Sequence, residues 1–397
     1  MKKNMKSSYL YVISIVMLLY ACKEETVGMQ PMDSVPPGPV SEVTWYSIPG
    51  GAVFRYMLPD DEDLLYVKAV YHLNGIETES KASVFADSLV IVGFGDTDEH
   101  QISLIAVDRS RNESTPYFET ITPGLPDVLS IDNSLYLIAD FGGVHAYWKN
   151  PNKAEISVNI LYKDHNDEYV PLQAFYSSGI NGDGVVRGMD TISTNFAVYV
   201  QDKWNNQSEK KYYALTPIYE AMFDPNRFAK VELNNDISYF PGYGMENMWD
   251  GDDGIDHCYS SSPGTGIWPQ SITMDLGIAG KISRVRLYQR VGGLSGSLLF
   301  AEGNLREFEI WGCLSVPDIS GSWDNWILLM DCVNVKPSGL PFGQLSDEDI
   351  EVGFNGEDYN NSPENPPVRY LRILAKRTWS GGSNFQILNI EVYGDYR

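Results

Sequence analysis

The chain has 397 residues, 53 of them acidic and 29 basic, and a formal net charge of −24. This length predicts more than one hydrophobic core, and the negative charge argues against binding to a phosphate backbone. Aromatic residues make up 12% of the chain, and short alternating runs separated by Gly and Pro predict β-sandwiches rather than helices.

The first 22 residues have the pattern of a bacterial lipoprotein signal. Three lysines precede an apolar segment, residues 9–20, that is too short to anchor stably across a bilayer. Residues 19–22, LYAC, resemble a lipoprotein cleavage motif, and the resemblance implies that Cys22 is lipidated and begins the mature protein. An ordinary secretory signal with an incidental cysteine is the alternative.

A short charged run, Lys23-Glu24-Glu25, directly follows Cys22. It resembles the tag that sends Bacteroidetes lipoproteins to the outer face of the outer membrane, which implies a lipid-anchored, surface-exposed protein. Residues 23–35 are polar and contain proline, which predicts a flexible linker. The alternative for the charged run is simply the solvated start of this linker.

An internal repeat indicates two domains of similar size. The segment DRSRNES at 108–114 reappears as DKWNNQS at 202–208, and Thr-Pro at 122–123 reappears at 216–217, both shifted by 94 residues. This period fits one immunoglobulin-like or fibronectin type III-like sandwich. We therefore predict such domains over 36–123 and 124–218. The repeated segment is either a ligand loop or a shared hairpin turn, and its duplication with intact spacing favours the turn.

The C-terminal part, 219–397, carries a different set of landmarks. An aromatic-acidic turn at 246–254, ENMWDGDDG, precedes an alternating strand, SITMDLG, at 271–277. Alternating runs follow at 282–290, 307–312, 368–374 and 386–394. In this order the landmarks resemble the discoidin, or galactose-binding-like, family. The resemblance implies a jelly roll, so the predicted fold class is all-β, with two tandem sandwiches followed by a discoidin-like domain.

The whole arrangement resembles a group of Bacteroidetes surface lipoproteins found beside SusC-like porins and SusD-like binding proteins. Besides the C-terminal landmarks, the resemblance rests on residues 81–110, on residues 141–144 with Trp148, and on Arg187-Gly188. It implies non-catalytic carbohydrate binding by the C-terminal domain in polysaccharide capture and uptake, with a glycan and SusC-like and SusD-like outer-membrane proteins as partners. The alternative is a protein–protein adhesion or assembly factor of an outer-membrane complex.

The discoidin resemblance also implies a structural calcium ion between the acidic turn and a carboxylate on the last strand. Calcium binds six to eight oxygen atoms from carboxylates and carbonyls. The residues that match are Asp250, Asp252, Asp253 and Glu391. A solvated acidic turn without metal is the alternative.

A sugar site needs an aromatic face and a few polar groups aimed at hydroxyls. In the resembling carbohydrate-binding modules these groups come from loops at one end of the barrel, and here those loops contain several aromatic residues, among them Trp268, Trp326 and Phe342. The predicted ligand-binding residues are Tyr243, His257, Tyr259, Arg290, Trp323 and Trp379. Trp323 and Trp379 are the better loop candidates because Gly and Ser flank them, although any one of these aromatic residues could instead belong to the core.

Catalytic and metal motifs are missing from the sequence. It contains no GxSxG, HExxH, P-loop or GxGxxG pattern, and its five histidines are spread over all three predicted domains. We therefore predict that the protein is not an enzyme. Apart from Cys22, the cysteines are Cys258, Cys313 and Cys332, which form either one disulfide with a free thiol or three buried thiols, without zinc-type spacing.

Overall fold

The computed structural model describes residues 34–86, 88–252, 254, 257–263 and 268–397. Strands carry the architecture of this part of the chain, which confirms the predicted all-β fold class. The predicted signal, Cys22 and the charged run after it lie outside the described residues. In the described part, no helix combines the length and apolarity that crossing a membrane requires.

The first β-sandwich packs a three-stranded sheet against a four-stranded sheet. Alternation decides which side chains face inward: Val67, Ala69 and Tyr71 of the third strand point into the core, where they meet Phe54 and Ile102. The strands are β1 (Ser41–Ile48), β2 (Gly51–Met57), β3 (Leu64–Leu73), β4 (Ile76–Ser83), β5 (Leu89–Val92), β6 (His100–Asp108) and β7 (Tyr117–Ile121). The sheet orders are β1-β2-β5 and β4-β3-β6-β7.

The second sandwich repeats this plan after a short helix, α1 (Asp127–Asp132). Its core contains Val144, Trp148, Ile160 and Phe196. The strands are β8 (Tyr136–Asp140), β9 (Gly143–Lys149), β10 (Ile156–Lys163), β11 (Tyr169–Ser177), β12 (Asn181–Val186), β13 (Thr194–Asp202) and β14 (Lys211–Leu215). The sheet orders are β12-β9-β8 and β11-β10-β13-β14.

The repeated heptapeptide forms the same turn in both sandwiches. Asp108 accepts hydrogen bonds from the backbone and side-chain nitrogens of Asn112, both at 2.8 Å. Asp202 accepts the equivalent pair from Asn206, at 2.9 and 2.8 Å. In each copy the final serine hydroxyl accepts a hydrogen bond from the preceding strand at 3.0 Å. The interpretation as a shared hairpin turn is therefore confirmed.

The third β unit is organised by one strand of 19 residues, β18 (Gln270–Tyr288). We predicted two strands here, and the structure joins them through an irregularity between Asp275 and Gly280. Gly277 has a φ of 75° at this point, a conformation that glycine adopts without steric cost. The first half of β18 therefore pairs in one layer, with β16 (Ala229–Val231) and β22 (Val368–Thr378). The second half pairs in the other layer, with β21 (Glu357–Asn360) and β24 (Asn389–Asp395).

The remaining strands of this unit complete two packed layers around a core that includes Phe308, Ile310, Leu371 and Val392. These elements are β15 (Ala221–Met222), β16 (Ala229–Val231), β17 (Tyr259–Ser260), β19 (Leu305–Cys313), β20 (Ile327–Val333), α2 (Asp347–Asn355), β21 (Glu357–Asn360), β22 (Val368–Thr378), β23 (Gln386–Ile387) and β24 (Asn389–Asp395). The principal sheet order is β15-β24-β18-β22-β19-β20, while β17 pairs with β23.

The three described cysteines, Cys258, Cys313 and Cys332, are buried, and none of them is in a disulfide. Of the two alternatives for these residues, the structure has the buried thiols. Burial raises the pKa of the Cys313 thiol to about 11 and raises that of Cys332 further. Both thiols are therefore protonated at neutral pH and behave as small apolar side chains.

Candidate functional site

A cavity of about 540 Å³ opens in the third unit beside the C-terminal end of β22. Trp379 follows that strand directly, and Arg306 lies on the adjacent strand β19. The loop after β20 closes the other side. The lining residues are Arg306, Val333, Asn334, Val335, Lys336, Gly339, Leu340, Phe342, Trp379 and Ser380.

The position of the Trp379 ring is set by its neighbours. Its backbone N–H donates to the carbonyl of Asn304 at 3.0 Å, and its indole N–H donates to Oδ1 of buried Asn334 at 2.5 Å. The ring of Phe300 packs against it edge-on, with the ring centroids 5.4 Å apart. Because the indole N–H is already used inside the protein, Trp379 offers a ligand only its ring surface.

A partly buried carboxyl group, that of Glu357, supports this arrangement from behind. The side-chain nitrogen of Asn334 donates to Glu357, and the hydroxyl of Tyr359 donates to the same carboxyl oxygen at 2.7 Å. Burial raises the pKa of Glu357 above its usual range, although the two hydrogen bonds oppose this shift. The network Trp379–Asn334–Glu357–Tyr359 therefore holds the ring in one orientation.

Two cations lie beside the ring, and they differ in what they can still bind. The Nζ of Lys336 is 5.8 Å from the ring centroid and donates to the carbonyls of Leu340, Pro341 and Gln344, at 3.1, 3.1 and 2.9 Å. A lysine ammonium group has three donors, so Lys336 is fully used in holding its own loop.

Arg306 is the second cation, and its donors are available. Its guanidinium carbon is 4.7 Å from the Trp379 ring centroid. Among the described residues, none accepts a hydrogen bond from this guanidinium group, whose five N–H donors form a planar fork. Arg306 can therefore donate to a ligand that occupies the cavity.

The loop that closes the cavity is itself well fixed. The backbone N–H and hydroxyl of Ser338 donate to the buried carboxylate of Asp349 at 2.9 and 2.6 Å. Asp349 also completes a capping box with Ser346 at the start of α2. Phe342, at the tip of this loop, is 62% exposed. The cavity therefore has an ordered wall with an exposed aromatic ring at its rim.

The structure places Trp323 far from Trp379. Trp379 follows Thr378, which pairs with Leu305 at the start of β19. Trp323 packs on Trp311, which lies six residues after Leu305 on the same strand. At about 3.3 Å per residue, the two positions are about 20 Å apart along the strand. The expectation that both tryptophans lie in loops at one end of the barrel is therefore wrong.

Among the other predicted ligand residues, Tyr243 lies next to the strand that contains Tyr259, because its carbonyl accepts from the backbone N–H of Ser260 at 3.2 Å. Tyr259 is fully buried against Phe385, so it belongs to the core. Tyr243 is half-buried beside Phe240, and Nε2 of His257 lies 2.7 Å from a carboxylate oxygen of Asp250.

Of these residues, Arg290 alone lies near Trp379. The side chain of Asn304 hydrogen-bonds to both the backbone N–H and the carbonyl of Arg290, and the backbone carbonyl of Asn304 accepts from the backbone N–H of Trp379. The six predicted ligand residues therefore do not form one site.

The structure describes three of the four predicted calcium ligands, Asp250, Asp252 and Glu391. Asp250 accepts a hydrogen bond from the backbone of Asp252 at 3.0 Å, whereas Glu391 accepts from the hydroxyls of Tyr288 and Tyr393 at 3.1 and 2.7 Å. In the described ranges, no three Asp, Glu, His or Cys side chains form a group that could hold a metal ion. Asp253 lies outside those ranges. Because one of the four ligands is outside the described residues, the four-residue calcium site stays a prediction.

No sequence pattern singled out Arg306 or Asn334. Arg306 occupies an ordinary outward position in an alternating strand, and Asn334 follows the last residue of another strand. Both become site residues only because β19 pairs with β20 and β22 on its two sides. Phe342 carried a weak signal as an aromatic residue in a Gly- and Pro-containing loop.

Three family models match the chain, and each is described as a domain of unknown function. DUF4959 covers residues 37–123, DUF5126 covers 124–226 and DUF5000 covers 249–394. No curated protein matches the chain.

Solved structures also match. The C-terminal domain of a chitobiase from Bacteroides fragilis is 14% identical, with 45% of this chain and 99% of that chain covered and a TM-score of 0.31. The structure described as GH31 CBM32-2 bound to GalNAc is 13% identical, with 42% and 95% covered and a TM-score of 0.29. Similarities this low carry no argument about function.

A further match is to SusE-like protein BT2857, with a TM-score of 0.45. This protein is 31% identical, and the match covers 68% of this chain and 99% of that chain. Because identity at this level extends over almost the whole of the matched protein, the chain belongs to the SusE-like family.

Proposed function

We propose that the protein is a cell-surface lipoprotein that binds carbohydrate without catalysis, at the cavity beside Trp379, in polysaccharide capture and uptake. The observation that carries this proposal is the pairing of two side chains there. The indole N–H of Trp379 is satisfied internally, which leaves its ring surface, and no described residue accepts a hydrogen bond from the Arg306 guanidinium group next to that ring. Membership of the SusE-like family supports the same conclusion.

The two side chains complement the two kinds of surface on a sugar ring. The C–H groups of a pyranose form an apolar face that packs against an aromatic ring, while its hydroxyls accept hydrogen bonds from a guanidinium group. Phe342 at the rim extends the aromatic surface beyond one sugar. The net charge of −24 repels anionic polymers at long range, so we expect the ligand to be a neutral glycan.

The proposed location follows from the order of the chain. With lipid attached at Cys22, the linker and two β-sandwiches separate the membrane from the third unit, which carries the cavity. The cavity would then face the outside of the cell, where SusC-like and SusD-like proteins take over the captured glycan.

Affinity electrophoresis tests this function. The chain without its first 26 residues is run against plant, algal and host polysaccharides, beside Trp379→Ala, Arg306→Ala and the control Trp323→Ala. We expect one neutral glycan to retard the wild type and Trp323→Ala but not Trp379→Ala, with Arg306→Ala weakened. Retardation that survives in Trp379→Ala but is lost in Trp323→Ala would move the site to the other end of β19.

Adhesion or assembly with another outer-membrane protein is the second candidate. The observation that favours it is the apolar rim of the same cavity, where Val333, Val335 and Phe342 are all exposed. If no polysaccharide retards the protein, this candidate predicts that the wild type co-purifies with an outer-membrane protein and that Phe342→Ser does not.

A further inference from the structure

The second sandwich carries a cavity of about 510 Å³ on its outer face. The cavity lies on the four-stranded sheet β11-β10-β13-β14. Alternation along β10 decides which side chains line it: Val158 and Ile160 are buried in the core, whereas Ser157 and Asn159 are partly exposed and line the cavity. All of the lining residues belong to the second sandwich, so this cavity is separate from the one beside Trp379.

An aromatic ring stands at one end of this cavity. Tyr176, on the edge strand β11, is 86% exposed and pairs across the sheet with Ser157. On its other side, Ser157 pairs with Gln201 of β13. Because neighbouring strands are about 4.8 Å apart, these three residues form a row about 10 Å long across three strands. The cavity therefore combines an exposed aromatic ring with a polar floor.

The polar groups of this floor are open to the cavity. Nδ2 of Asn159 donates to the carbonyl and hydroxyl oxygens of Ser157, at 3.3 and 3.0 Å, and no described residue donates to Oδ1 of Asn159. This oxygen is not one of the buried polar atoms that lack a partner, and Asn159 lines the cavity, so a ligand can reach it. The hydroxyl hydrogen of Ser157 has no acceptor among the described residues. The floor therefore offers an acceptor and a donor next to each other.

The charged residues of the lining favour an uncharged ligand, because they are occupied with each other or with their own turn. Nζ of Lys203 lies 3.3 Å from a carboxylate oxygen of Glu155. The carboxylate of Asp202 accepts from the backbone N–H groups of Trp204 and Asn206 and from the Asn206 side chain, at 2.8, 2.9 and 2.8 Å. A charged ligand would therefore find no unpaired opposite charge in this lining.

These features together fit a neutral sugar. The C–H face of a pyranose packs against an aromatic ring, and each of its hydroxyls can both donate to Oδ1 of Asn159 and accept from the hydroxyl of Ser157. The volume lies within the range for ligand pockets, about 300–1,000 Å³. Because the cavity is open on a sheet face, it fits the side of a glycan chain.

We propose that this face is a second contact site for the glycan, where Tyr176, Ser157 and Asn159 hold another stretch of the polysaccharide bound beside Trp379. The inference rests on the proposed function, because it assigns the same ligand to both sites. The second site is the weaker one, since no described residue fixes the Tyr176 side chain, and ordering that side chain on binding costs entropy. Two contacts with one polymer raise the apparent affinity through the effective concentration.

The test compares a polysaccharide with short oligosaccharides cut from it. The polysaccharide is the one that retards the wild type in affinity electrophoresis, and the oligosaccharides are too short to reach both sites. Binding of each probe is measured for the wild type, Tyr176→Ala and Asn159→Ala, all with Trp379 intact. Tyr212→Ala is the matched control, because Tyr212 is also exposed on the same sheet but does not line the cavity.

We expect Tyr176→Ala to lower the apparent affinity for the polysaccharide about tenfold and Asn159→Ala to lower it about threefold, with the affinity for the oligosaccharides unchanged. Tyr212→Ala should bind both probes as the wild type does. Because the side chains of Tyr176 and Asn159 lie outside the core, all three variants should keep the thermal stability of the wild type.

Two results would overturn the second site alone. Either Tyr176→Ala binds the polysaccharide as tightly as Tyr212→Ala does, or Tyr176→Ala loses affinity for the oligosaccharides to the same extent as for the polysaccharide, which would indicate one binding site. In both cases the wild type still binds the polysaccharide, so the function proposed for the Trp379 cavity stands. A wild type that binds no polysaccharide would overturn that function, and the second site with it.

Discussion

Trp323 and Trp379 have similar sequence surroundings and similar local partners but opposite roles. Each is half-buried, and each has an arginine beside its ring, Arg372 at 4.1 Å and Arg306 at 4.7 Å from the ring centroid. Arg372 is fully buried and donates to Asn235, Asp236 and the Gly321 carbonyl, whereas no described residue accepts from the guanidinium group of Arg306. A Trp–Arg pair therefore indicates a binding site only when the guanidinium donors are unused.

The largest expected effect comes from breaking the Trp323–Arg372 pair, which we call the closed pair because the Arg372 donors are used inside the protein. Arg372→Met removes a buried cation and leaves the Asp236 carboxylate buried without its partner. We expect a loss of about 3–5 kcal/mol in the free energy of unfolding of the third unit. Urea denaturation followed by tryptophan fluorescence measures it. Arg306→Met is the matched control and should change stability by less than about 0.5 kcal/mol. Equal losses in the two variants would contradict the contrast between the pairs.

Removing the ring from the closed pair should come next. Trp323 packs against Trp311, Trp326 and Arg372, so Trp323→Ala opens a space that its neighbours only partly fill. We expect a loss of about 2–3 kcal/mol in the free energy of unfolding, with carbohydrate affinity unchanged. The comparison fails if Trp323→Ala loses carbohydrate affinity while it keeps wild-type stability.

In the Trp379–Arg306 pair, which we call the open pair, loss of the arginine should weaken carbohydrate binding rather than stability. Arg306→Gln removes the charge and the planar donor fork, and we expect carbohydrate affinity to fall about tenfold, or about 1.4 kcal/mol. Arg377→Gln is the control on the neighbouring strand, because this arginine is exposed and paired with Glu307. Titration of all three proteins with the glycan found by electrophoresis measures the effect. A similar loss in both variants would indicate a general charge effect instead of a contact.

The smallest expected effect is a pH dependence of folding stability that comes from Glu357, which lies behind the open pair. Burial raises the pKa of Glu357, which holds Asn334 behind Trp379. The folded state therefore binds this proton more tightly than the unfolded state does. The stabilisation is fully present below the ordinary Glu value of 4.5 and is lost as the pH rises through the folded pKa.

Glu357→Gln removes this titration. We expect the wild type to lose stability relative to Glu357→Gln as the pH rises above 4.5, and the difference to become constant once Glu357 is ionised. Thermal unfolding at a series of pH values measures the difference. A wild type that instead gains stability relative to the variant with rising pH would show that the folded pKa is lowered.

Local sequence patterns were sufficient to predict much of the fold but little of the candidate site. The turn at Asp108 was predictable from its second copy at Asp202, because both rest on contacts within a few residues of the aspartate. The site depends instead on strands that are distant in sequence. Arg306, Asn334 and Trp379 meet only because β19 pairs with β20 and β22. Alternation along a strand does not predict which other strands lie beside it.

The amino-acid sequence by itself determined the all-β class, the two similar sandwiches and the aromatic character of the third unit, because alternation, turn residues and composition act over short distances. Only the tertiary structure decided that Ser271–Gly277 and Ile282–Tyr288 form one strand, and that Trp379 borders a cavity while Trp323 is closed against Arg372. The physical reason is that exposure of a ring, and the partners of a cation, depend on which distant strands pack together.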